Sequence, residues 1–148
     1  MKKIAAAMAL AALAGCAMGI TDSSPHLNYE VDRPYQVVHD RAVHQAEECM
    51  QGVRNFEDRL SNIREPRRSE FRISENVSAD ARQGEVLVSD PLTGVVVART
   101  QWRALGPDRT AVTQAVWGRG TWDGKTLHAM EQSILMDASV CTVYKIAE

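Results

Sequence analysis

The chain has 148 residues, with 17 basic and 19 acidic side chains and a formal charge of −2. That length suits one domain with a real core and leaves no room for two. The mild acidity argues against nucleic acid or an anionic membrane surface as the main partner, and no stretch approaches the ~18 apolar residues that a transmembrane helix requires.

The first sixteen residues read MKKIAAAMALAALAGC. Lys2 and Lys3 form a positive n-region, and Ile4 to Leu13 form an uncharged apolar core, the layout of a secretory signal. At ~1.5 Å rise per residue that core covers roughly 15 Å, half of the ~30 Å hydrocarbon layer. Leu13-Ala14-Gly15-Cys16 resembles the lipobox of small bacterial envelope lipoproteins. The chemistry needs a thiol as the nucleophile that takes diacylglycerol, and small residues before it so that a peptidase can close on the chain. The resemblance implies a signal peptide over 1–15, lipidation at Cys16 and membrane attachment through acyl chains worth ~0.8 kcal/mol per buried methylene. Ala17 and Met18 follow in place of the aspartate that resembles an inner-membrane retention signal, so the resemblance implies the periplasmic face of the outer membrane. Loss of Met1 to Gly15 removes two lysines and no acid, so the formal charge moves from −2 to −4.

With Cys16 carrying lipid, Cys49 and Cys141 remain, and an exported chain with one such pair is most simply read as holding one disulfide. A reactive or metal-binding pair is the alternative, but the pair has no C-x-x-C spacing.

Ala17 to Tyr29 is polar, with Thr21, Asp22, Ser23, Ser24 and Pro25, and reads as a flexible tether over 16–29 that leads into a single domain over 30–148. Asp32-Arg33-Pro34 is a helix start signal, with Asp32 as N-cap, and Tyr35, Val38, Ala42, Ala46 and Cys49 then recur on one helical face. The opposite stripe of Asp40, His44, Glu47 and Glu48 reads as a solvated face, since it carries no H-E-x-x-H or comparable signature. Val53 to Ile63 fits a helix or a strand, and Arg64, Arg67 and Arg68 gather around Pro66 in a solvated connection.

From Ser69 the period falls to two. Phe71 and Ile73 mark a half-buried strand, Glu75 to Gln83 a loop, Glu85 to Ser89 a short strand, and Asp90-Pro91-Leu92-Thr93-Gly94 a hairpin turn. Val95 to Ala104 is the longest strand, with Val96, Ala98, Thr100 and Trp102 facing the core, and Thr110 to Trp117 returns after the turn at Gly106-Pro107-Asp108-Arg109. Asp123 can cap a helix that places Leu127, Met130, Ile134, Ala138 and Cys141 on one face, while Val140 to Ile146 alternates well enough for a closing strand.

The predicted fold class is α+β: an N-terminal helix packed on an antiparallel sheet of four or five strands, a second helix or closing strand near the C-terminus, and one disulfide. Gly124-Lys125-Thr126 resembles the end of a phosphate-binding loop, but Arg119 stands where that pattern demands glycine. Neither a nucleophile elbow nor a convincing metal spacing among His26, His39, His44 and His128 is present, so neither cofactor nor metal is expected. Trp117, Arg119 and Trp122 are the candidate partner-binding residues, indole faces beside polar groups; core packing is the competing role for them. The expected function is that of a non-catalytic, lipid-anchored protein that binds or supports assembly of another envelope component, with a glycan such as peptidoglycan as the alternative ligand of exposed tryptophans.

Overall fold

A computed structural model describes residues 19–51, 71–80 and 82–142. The signal segment, Cys16, the segment 53–63, the arginines near Pro66 and any strand beyond Thr142 lie outside them. Five strands, β1 (His26–Val31), β2 (Arg72–Val77), β3 (Gln83–Ser89), β4 (Val96–Gly106) and β5 (Arg109–Val116), form one antiparallel sheet in the order β1-β5-β4-β3-β2. The last four make a meander through short turns, and β1 closes the far edge by pairing with β5, as with Tyr29 opposite Val112. Two helices, α1 (Tyr35–Gln45) and α2 (Gly124–Leu135), cover one face. The α+β architecture with one disulfide is therefore as expected, with five strands.

Alternation decides which side chains meet the helices. Tyr35 of α1 stacks on Trp102 at 5.1 Å between ring centroids, which fixes the Ala98, Thr100, Trp102 register of β4 inward. Cross-strand pairing then carries Val86 and Val88 of β3, Val112, Gln114 and Val116 of β5, and Leu27, Tyr29 and Val31 of β1 to the same side. Val38, Ala42, Ala46 and Met50 descend from α1 and the turn after it, and Leu127, Met130 and Ile134 from α2, to close the core. Gly84 lies beneath the indole of Trp102, where a Cβ would sit 2.6 Å from Cζ2 and 2.7 Å from the Asn76 carbonyl oxygen.

The core contains polar groups that satisfy one another. Tyr29 donates through its hydroxyl to Gln114 Oε1 at 2.9 Å, and Gln114 Nε2 donates to Thr100 Oγ1 at 3.2 Å. Burial, and secondarily the Glu131 carboxylate, pushes the Tyr29 phenol well above its usual pKa.

Several expected boundaries shift. The segment read as tether through Tyr29 holds β1 from His26 onward, and even its earlier part is docked: Ser24 is buried, and Pro25 accepts a hydrogen bond from Val116 N at 3.1 Å. Asp32 does not cap α1; Pro34 takes the N-cap position with no side-chain cap, its carbonyl accepting from Val38 N. β2 runs to Val77, three residues into the expected loop. α2 ends at Leu135, so Ala138 and Cys141 are not on its face. Cys141 instead lies in the extended chain that returns beside α2, held where Val140 N donates to Ser133 Oγ at 2.8 Å.

Cys49 and Cys141 form the expected disulfide, with Cα atoms 5.1 Å apart. A π-helical turn, Ala46–Met50, continues α1 and carries Cys49 and Met50 into the core. Arg33 and Arg41 both reach Asp137 in the turn after α2, and Arg33 also donates to the Leu135 carbonyl at 2.9 Å. The hydrogen bond and charge of Arg33, with the charge of Arg41, hold the Asp137 carboxyl below its usual range.

Candidate functional site: the open face of the sheet

Among the described residues both helices lie on one side of the sheet; on the other, Val97 and Ala115 are buried toward the β3–β4 end and most of the remaining outward register is polar. One row across the centre of that face runs Asn28, Thr113, Gln101, Glu85, Asn76, each opposite the next in the ladder. Its side chains are tied laterally: Thr113 Oγ1 donates to Asn28 Oδ1 at 2.8 Å, Gln101 Nε2 to Glu85 Oε2 at 3.2 Å, and Asn76 Nδ2 to Glu85 Oε1 at 3.1 Å. Arg99 and Arg103 project from β4 on either side of this row, and Arg109 pairs with Glu30 at one corner. The Arg99 Nε, one row from these amides, is buried with no hydrogen-bond partner among the described residues. This face presents amides, hydroxyls and guanidinium groups, several of them held by neighbouring side chains.

The tryptophans separate. Trp122 is 4 % exposed and packs edge to face against Phe71 at 5.0 Å, so it is part of the core and cannot serve as a stacking platform. Its burial follows from the loop that carries it, where Gly118 and Gly120 adopt φ of 87° and 59°, and Trp122 N and O bond back to Arg119 O and Gly118 N. Trp117 is half-buried, and the Arg119 guanidinium lies 5.6 Å from the centroid of its ring, a cation–π contact at the end of the sheet. Of the three candidate residues, Trp117 and Arg119 remain as a surface pair.

Other chemistry-bearing groups are dispersed. His39 Nε2 pairs with Glu75 Oε2 at 2.8 Å between α1 and β2, and His128 Nδ1 with Glu131 one turn along α2. Thr126, the end of the phosphate-loop resemblance, gives its hydroxyl to the Thr121 carbonyl, and Asp123 Oδ1 accepts from Lys125 N at 2.9 Å and Thr126 N at 3.2 Å as the cap of α2. Among the described residues no three His, Cys, Asp or Glu side chains converge as a metal site, and no helix is long and apolar enough to cross a membrane. A cavity of about 10 Å³ lined by Gln45, Cys49, Trp122 and Thr142 has room for a single water.

Sequence reasoning missed the open face as a unit, because its members come from five strands. The signal that could have found it was the polarity of Arg99, Gln101 and Arg103, the register of β4 turned away from the two helices. Comparison with models of known protein families finds no match, and a search of characterised proteins finds none either.

Proposed function

We propose that this chain is a non-catalytic, lipid-anchored envelope protein that binds another envelope component through the open face of its sheet. The observation that carries the reading is the pair of hydrogen-bonded clusters Asn28–Thr113 and Gln101–Glu85–Asn76 along one cross-strand row, beside Arg99, whose buried Nε has no hydrogen-bond partner among the described residues. Such a row holds its side chains in place before a partner arrives, which lowers the ordering cost of binding. The lipobox at Leu13 to Cys16 supports attachment to the periplasmic face of the outer membrane. The burial of Trp122 counts against the stacking of a sugar on that ring, so a protein is favoured over a glycan.

The test is photo-cross-linking in living bacteria from two exposed positions, Arg103 on the open face and His128 on α2. The expected result is one defined envelope protein trapped from position 103 and not from 128, and lost when Gln101→Arg is added. Equal products from both positions, or products only with cell-wall glycan, would overturn a protein-binding open face.

A further inference from the structure

The described chain begins at Gly19, already seated against the body of the domain: its Cα lies so close that an added Cβ would meet Val95 Cγ1 at 3.1 Å and Val96 O at 3.2 Å. Ala17 and Met18 alone separate it from Cys16, and three residues of fully extended chain reach at most about 10 Å. An acyl group on Cys16 therefore brings one particular end of the sheet to the membrane, the end where β3 turns into β4.

That end carries the most exposed large apolar side chain among the described residues. Leu92, at the tip of the Asp90–Gly94 turn, is 85 % exposed, whereas Val77, Leu105, Leu135 and Met136 reach only 41–49 %. The turn presents it rigidly. Asp90 Oδ1 accepts hydrogen bonds from Leu92 N at 2.9 Å, Thr93 N at 2.9 Å and Thr93 Oγ1 at 3.1 Å, while Asp90 N donates to Val95 O at 2.8 Å. Partial burial raises the Asp90 pKa, but these bonds outweigh it and leave the carboxyl below its usual range, ionised and turned toward its own backbone.

The neighbouring loop completes the surface. Trp117 N donates to Val97 O at 2.9 Å, which holds the indole beside the start of β4, and Arg119 lies over its ring. Asp123 is engaged in capping α2, so the outward charges of this loop are the exposed Arg119 and Lys125. An apolar tip, an amphipathic indole and snorkelling cations are the combination that settles at a bilayer interface.

We propose that the Asp90–Gly94 turn, with the Trp117 and Arg119 pair at the same end of the sheet, rests on the lipid surface and that Leu92 inserts into it. The lipid partner is a bilayer of any headgroup, since the domain as a whole is mildly acidic and the contact depends on Leu92 and the anchor. This orientation rests on the reading of Cys16 as the lipidated residue. The sheet then stands upright, with the polar row from Asn28 to Asn76 clear of the membrane and the β4–β5 turn pointing away from it.

The full chain, matured in a bacterial host, is reconstituted into phosphatidylcholine vesicles with brominated acyl chains, and Leu92→Trp is compared with Leu105→Trp. Ten residues along β4 from Val95, Leu105 is about 33 Å away at ~3.3 Å per residue. Relative to wild type, the added emission of Leu92→Trp is expected to be blue-shifted and quenched severalfold more strongly than that of Leu105→Trp. Equal quenching of the two in protein that carries lipid by intact mass and floats with the vesicles would overturn the orientation alone. Protein without lipid on Cys16 that fails to float would overturn the anchor reading and this inference with it.

Discussion

Gly84 shows how a single residue sets the packing of the first layer. A Cβ there has the Trp102 ring on one side and the Asn76 carbonyl oxygen on the other, and the backbone oxygen cannot rotate away. Trp102 cannot retreat either, since Tyr35 is stacked on it and His39 meets its edge at 5.8 Å between centroids. Gly84→Ala is therefore expected to destabilise the domain by about 1–3 kcal/mol, the usual cost of overpacking. Chemical denaturation checks this as a lower midpoint at unchanged slope; an unchanged midpoint would mean that the indole has slack the geometry denies. The same scale explains Trp122. Its sequence neighbours Arg119, Asp123 and Lys125 suggested an exposed platform, but the contact that buries it, Phe71, lies 51 residues earlier in the chain.

At the scale of elements, the meander was legible because its signals are local. Phe71 and Ile73, the alternation through Trp102, and the Asp-Pro and Gly-Pro turns mark β2 to β5 without knowledge of their partners. The helix on Tyr35 to Cys49 was legible by its three-and-four spacing, and Asp123 by its capping chemistry. β1 was not, although Leu27, Tyr29 and Val31 alternate with His26, Asn28 and Glu30. Its neighbour is β5, some 80 residues away, and the polar run before it reads as tether; only pairing with β5 makes it a strand. The end of α2 was overextended for a similar reason. Ala138 and Cys141 continue its period, but Asp137 is drawn to Arg33 and Arg41, and the chain turns back there.

The disulfide joins segments that sequence places 92 residues apart, the π-helical turn after α1 and the chain that follows α2. In the chain-entropy model a loop of that length contributes about 4–5 kcal/mol, comparable to the entire stability of a modest domain. The double substitution Cys49→Ala, Cys141→Ala should lower stability by about 2–5 kcal/mol, measured by urea unfolding of the domain in oxidising buffer. A loss below about 1 kcal/mol would mean that the Arg33 and Arg41 contacts to Asp137 already hold α2 in place without the bridge.

At the scale of the whole molecule, the fold divides its work between two faces and two ends. One face of the sheet is spent on the core and the helices; the other displays the polar row around Gln101, which is where we place a partner. In the orientation we propose, the end with Gly19 and Leu92 faces the bilayer and the β4–β5 turn at the other end points away from it. On this proposal, the docking of Gly19 converts lipid attachment at Cys16 into an orientation. A loose tether of thirteen residues, with a root-mean-square reach of ~20 Å, would let the domain tumble above the membrane.

The proposed anchor and orientation depend on Cys16, and the intact mass of protein extracted in detergent from a bacterial host tests them most directly. The account predicts the mass of Cys16 to Glu148, with the Cys49–Cys141 disulfide formed, plus a diacylglyceryl group and an amide-linked acyl chain. A mass equal to the uncleaved chain, or to a cleaved chain bearing no lipid, would contradict it.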